Sequence, residues 1–145
     1  MISASGSESL QSLLHQKRDQ QLMYSHVMLG VNDMDASRKF YDATLGALGY
    51  EPGVMDDRGR CFYRTPKGVF ALTAPIDGKP ATAANGGTIG FLAKTAKLAD
   101  AWHKAGLENG GSTCEDPPGM RGDKMYLAYL RDPAGHKICA LHMVG

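Results

Sequence analysis

The chain is short of most features that would assign it to a class at a glance. Its 145 residues include three cysteines, Cys61, Cys114 and Cys139. The number is odd and no CxxC occurs, which excludes a disulfide framework and a zinc ribbon. Free thiols fit a reducing cytoplasm. Basic residues outnumber acidic ones by one, so no strong field draws the chain to nucleic acid or to an anionic membrane. No basic cluster is interleaved with aromatics. No apolar run approaches the roughly 20 residues that span a bilayer. The start lacks the charged-then-apolar layout of a secretory signal. No glycine pattern sits between a strand and a helix as dinucleotide binding requires.

What is present suffices for one domain with a real core. Residues 1–22, "MISASGSESLQSLLHQKRDQQL", are rich in Ser and Gln and lack Val and aromatics. They read as an N-terminal extension, either flexible or forming a short helix on Leu10, Leu13 and Leu14. Residues 23–145 read as a single domain.

That domain repeats itself. Shifted by 62 positions, His26 falls on Thr88, Phe40 on Trp102, Tyr41 on His103, Leu45 on Leu107 and Gly49 on Gly111. "RTPKG" (64–68) is echoed by "RDPAG" (131–135). Two copies of one unit are expected, about 23–76 and 87–143, and each has a face that it cannot bury alone. "PIDGKPATAANGG" between them is a Gly/Ala/Pro-rich linker.

Each unit reads as strand, helix and short strands. Val27, Leu29 and Val31 form the bulky side of the first strand, which a helix should cover; His26, Met28 and Gly30 form the other. In the second unit Ile89, Phe91 and Ala93 oppose Thr88, Gly90 and Leu92. Asn32 or Asp33 can cap the first helix, and Thr95 the second. The expected buried stripes are Ala36, Phe40, Ala43 and Leu45, then Leu98, Ala99 and Trp102. Glycines in "GALGY" and "ENGGS" stop the helices. "TPKG" and "DPAG" are turns between neighbouring strands. The fold class is α+β: two βαβββ modules whose antiparallel-rich, mixed sheets curl towards each other, with helices outside.

The stretches "HVMLGVNDMDASRKFYDATLGALGY", "GGTIGFLA" and "GGSTCEDPPGMRGDKMYLAYLRDPAGHKI" resemble the glyoxalase, bleomycin-resistance and extradiol-dioxygenase group, the vicinal oxygen chelate superfamily. The resemblance runs from about residue 23 to 143. It implies paired βαβββ modules around a small-molecule cavity, usually in a homodimer. Whether modules pair within or between chains stays open. It does not imply one reaction, since the superfamily holds isomerases, dioxygenases, thiol transferases and non-catalytic drug binders.

The resemblance also implies where a divalent metal would sit. Such an ion chelates neighbouring substrate oxygens and stabilises their developing charge. The first-strand histidine is kept as His26. Its counterpart in the second module is Thr88. The glutamate that usually follows the "DP-G" turn is Cys139, and the matching place in the first module falls near Ala71. His26 is the only retained family ligand, and Zn or Fe wants three or four. No cofactor is therefore expected, with a divalent metal as the minor alternative.

The main expectation is a protein that binds a small molecule in the sheet cavity without the usual metal. The alternative is a divergent lyase or isomerase using His26 with Cys139 or Thr88, with or without a metal. His26 and Cys139 are the catalytic candidates. His26, Met28, Thr88, Arg121, Tyr126 and Cys139 are the substrate-binding candidates. Arg121 lies in a loop that borders the cavity in the resembled family and could grip a carboxylate or phosphate in bidentate fashion. Tyr126 and Tyr129 have opposite parity on one strand, Tyr126 being the cavity candidate. His142 points away from Cys139, Trp102 is core, His103 lies on the helix surface, and His136, after a turn glycine, is expected exposed.

Overall fold

The structure, a computed structural model, describes Leu10 and residues 23–145. The expectations for residues 1–22 lie outside the described residues, apart from Leu10, which is helical and exposed. The elements are β1 (His26–Gly30), α1 (Met34–Ala47), β2 (Val54–Met55), β3 (Cys61–Thr65), β4 (Gly68–Thr73), β5 (Ile89–Leu92), α2 (Ala96–Glu108), β6 (Ser112–Thr113), β7 (Gly119–Arg121), β8 (Met125–Arg131) and β9 (Lys137–Met143). Among the described residues no helix is long and apolar enough to cross a membrane.

The duplication is visible in the topology. One sheet runs β1-β4-β3-β2, with β1 parallel to β4 and the other pairs antiparallel. The other runs β5-β9-β8-β6, with β5 parallel to β9. The place of β2 is taken in the second module by two short strands, β6 and β7, both on β8. Pro117 and Pro118 lie between them and have no N–H for a ladder, so the strand breaks there. The two sheets remain separate and mixed, with each module supplying one.

Asp33 caps α1, its carboxylate accepting from the Ala36 N–H at 3.1 Å. Asn32 instead fastens the linker to the end of β1, its amide donating to Ala81 O and accepting from Ala81 N. Thr95 caps α2 through the Leu98 N–H. The chain leaves the helices through Gly49 and Gly110, both at φ +97°, which a glycine adopts without penalty.

The buried face of α1 differs from expectation. It consists of Ser37, Phe40, Tyr41, Thr44 and Leu45, with Ala36 and Ala43 only half-buried. The cause is the neighbour: α1 packs along α2 as well as on its sheet. Small polar residues let the two backbones approach. Among the described residues, the Ser37 and Thr44 hydroxyls and the Trp102 indole N–H are buried without a hydrogen-bond partner.

Gly106 shows how tight that contact is. A Cβ there would lie 2.2 Å from Leu130 Cδ1 and 3.1 Å from Phe40 Cε2. In a free helix, alanine in place of glycine gains about 1 kcal/mol. Here overpacking costs about 1–3 kcal/mol, and the fully buried Leu130 has no room to retreat. Gly106→Ala is therefore expected to lower the melting temperature; a rise would show that the contact yields.

Candidate functional site

Paired residues in neighbouring strands share a sheet face, so the register sorts side chains into two sets. Val27, Phe70 and Tyr63 align across β1, β4 and β3 on the face towards α1. Ile89 and Phe91 lie on the matching face of β5, and Ile89 aligns with the fully buried Ile138 of β9. Where these faces meet, beside the β3–β4 turn, a cleft of about 290 Å³ opens. Its walls are Val27, Tyr63, Thr65, Phe70, Ile89, Gly90, Phe91 and Leu45. Met23, Tyr24, His26, Tyr50, Lys67, Gly68 and Val69 complete the lining. Five of the chain's eleven aromatic residues line it. Phe70 and Phe91 meet edge to face, with centroids 5.2 Å apart.

The two echoed turns make opposite uses of the junction between modules. At the β8–β9 turn, the Asp132 carboxylate accepts the Tyr41 hydroxyl proton at 2.6 Å and the backbone N–H groups of Ala134 and His136. His136 Nε2 lies 2.8 Å from Gly30 O. His136 was expected exposed and is in fact buried, because its ring reaches from the second module to the end of β1. In the β3–β4 turn, Thr65 stands at the Asp132 position and Val69 at the His136 position. Neither reaches across, and both line the cleft.

His26 is exposed at the start of β1, and its Nδ1 lies 2.8 Å from the Ser25 hydroxyl. That leaves Nε2 free of protein partners among the described residues. The Tyr63 hydroxyl donates to Asp42 at 2.7 Å, and burial together with this bond holds it protonated far into the alkaline range. Tyr63 therefore offers the cleft a ring, not an acid. Burial likewise raises Tyr41 well above the ordinary tyrosine range, with Asp132 adding to it.

Of the six site candidates, the cleft gathers only His26. Met28 aligns with Ala71 on the opposite face of β1. Thr88 is exposed just before β5. Cys139 aligns with Gly90 and Tyr129 on the face of the second sheet away from α2. Arg121 is occupied: its guanidinium donates to the carbonyls of Asp116, Pro117 and Gly119 and so ties its own loop. Tyr126 is a correction. Its hydroxyl donates to Asp100 of α2 at 2.5 Å, so it lies on the helix side, and Tyr129 takes the open face. There the Lys137 ammonium sits 5.1 Å over the Tyr129 ring and pairs with Glu115. His142, as expected, points away from Cys139, its Nδ1 lying 3.1 Å from Ala93 O.

The residues that the sequence reading missed are Tyr63, Lys67, Phe70 and Phe91. Phe91 was assigned to the core by parity, which is right for its face but not for the strand end. Lys67 could have been found, because it replaces Ala134 in the turn echo.

The donor set does not fit the divalent metal that the resemblance implies. Among the described residues no three His, Cys, Asp or Glu side chains converge. Thr88 is a weak ligand, and Ala71 has no donor. A thiol binds metal as thiolate, yet burial pushes the Cys139 thiol up, Lys137 only partly offsetting it. Burial does the same to Cys61. Native protein treated with iodoacetamide at neutral pH is accordingly expected to label at Cys114 alone, and at all three thiols after unfolding. Rapid native labelling of Cys139 would contradict this.

A family model described as the glyoxalase/bleomycin resistance protein/dioxygenase superfamily matches residues 24–140. Among solved structures, a glyoxalase/bleomycin resistance protein from Albidiferax ferrireducens is 61% identical. It covers 84% of this chain and 99% of that one, with a TM-score of 0.81. A glyoxalase-related enzyme from Fulvimarina pelagi is 17% identical over 84% of this chain and 88% of its own, with a TM-score of 0.68. A lactoylglutathione lyase from Agrobacterium tumefaciens is 23% identical over 82% and 92%, with a TM-score of 0.58. The last two share the fold alone. No curated protein matches.

Proposed function

The chain belongs to the glyoxalase/bleomycin resistance protein/dioxygenase superfamily, and on that premise we propose that it binds a small molecule in the cleft between its modules without the superfamily's usual metal. The observation that carries this reading is an apolar, aromatic-walled cleft in a chain whose metal donors are mostly replaced. Its size lies at the low end of the roughly 300–1,000 Å³ typical of ligand pockets. A bound ligand stabilises the folded state by mass action. A thermal-shift screen of a diverse fragment library, run in EDTA, should therefore yield hits. Ile89→Trp, which fills the cleft, should abolish them. Hits indifferent to Ile89→Trp would sink the reading. So would a stoichiometric Zn, Mn, Ni or Fe that is lost on His26→Ala.

One observation favours a second reading, a lyase or isomerase. His26 stands at the cleft mouth with its ring oriented by Ser25, a placement that suits a general acid or base. Cys139 and Thr88 do not line the cleft, so His26 would act without them. Turnover of a screening hit that disappears in His26→Gln while binding survives would establish it.

We further propose a homodimer through the open face of the second sheet. Leu92, Met125 and Met143 are exposed there, at 67%, 40% and 52%. They flank Leu127 and Leu141, giving one apolar strip across β5, β9 and β8. Sedimentation should show a dimer that Leu92→Lys weakens at least ~10-fold; a monomer at about 100 μM would refute it.

A further inference from the structure

We infer that the occupant of the cleft is an aromatic carboxylate, of one or two fused rings, a refinement that rests on the binding function proposed above. The walls select a ring. Phe70 meets Phe91 edge to face at 5.2 Å and Tyr63 at a tilt at 6.0 Å, so a flat apolar ligand can join this aromatic cluster. The Tyr63 hydroxyl is already bound to Asp42. The Thr65 hydroxyl is bound to Gly68 O. The depth of the cleft therefore offers few unpartnered polar groups.

The mouth selects a negative charge. Lys67 and His26 line it, and among the described residues no Asp or Glu does. When the Ser25 hydroxyl donates to Nδ1, Nε2 carries the hydrogen, so the ring of this cleft-lining residue has a donor to offer, as it also has when protonated. An ammonium and an imidazole N–H beside an apolar wall match a carboxylate attached to a ring. A charge-assisted bond of this kind is roughly twice as strong as a neutral one. A neutral ligand would leave Lys67 without its counterpart, and a cation would be repelled.

The test uses three probes on the intact protein, each titrated by calorimetry at low salt: 2-naphthoate, its near-isosteric neutral amide 2-naphthamide, and its saturated, non-planar counterpart decalin-2-carboxylate. Naphthoate should bind about 5–20-fold more tightly than either analogue. Lys67→Met, a change at an exposed turn residue, should bring naphthoate down to the naphthamide level. Added salt should narrow the gap, because the pair at the mouth is screened. Equal binding of acid and amide, or indifference to Lys67→Met, would overturn the inference and leave the binding function standing. So would hits from the fragment screen that exclude all three probes. A screen with no cleft-dependent hit of any kind would overturn both.

Discussion

Trp102→Ala is expected to cost about 3–5 kcal/mol of stability, the range for removing a large buried aromatic side chain. Trp102, on α2, is 0% exposed and shares one core with Phe40, Leu130 and Ile138. A domain of this size has only about 5–15 kcal/mol to lose, so the variant should unfold at a much lower urea concentration. Trp102→Phe gives the sharper result. The indole N–H is buried without a partner, and leaving such a group unpaired costs about 1–3 kcal/mol. Phenylalanine removes that penalty while losing part of the packing, so the two effects nearly cancel. The expected cost is below about 1.5 kcal/mol. A loss as large as that for alanine would mean that the indole N–H is satisfied in solution.

Asp132→Asn is expected to cost about 2–4 kcal/mol, because the carboxylate is 4% exposed and accepts three hydrogen bonds. Its two oxygens divide the work: Oδ2 takes the Tyr41 hydroxyl, and Oδ1 takes the two turn N–H groups. An amide has one acceptor and would set an NH₂ against one of those donors. Tyr41→Phe removes a single bond to a charged group, worth about 1.5–3 kcal/mol. The double variant should cost less than the two singles combined, since the groups act on each other. Denaturant unfolding of the four proteins measures that coupling. Strict additivity would show that Tyr41 and Asp132 act independently.

Much of the fold was legible because period and punctuation are local. The alternation in "HVMLGV", the caps at Asp33 and Thr95, and the 62-residue echo together specified two like modules, and the pairing pattern repeats in both sheets. The buried polar stripe of Ser37, Tyr41 and Thr44 was not legible. A helix that packs on another helix tolerates small polar residues where a sheet would want bulk, and the sequence does not say which neighbour comes. Tyr126 was misplaced for a related reason. Parity separates it correctly from Tyr129 but cannot say which face a strand turns outwards; Asp100 on α2 decides that. His136 looked like a surface residue because its neighbours are turn residues, while its partner, Gly30, is 106 positions away. The cleft was hidden for the same reason: its walls come from both modules, and only His26 among them carried a signal of its own.

The unlike fates of the two matched turns fix a count. In a perfectly symmetric pair of halves the two corners would be alike, both open or both closed. Here Asp132 and His136 bolt one corner shut, and their counterparts Thr65 and Val69 leave the other ajar. Under the binding function proposed above, occupancy should saturate at one molecule per chain, and specificity would be free to drift through a short hairpin without loosening the opposite corner that holds the halves together.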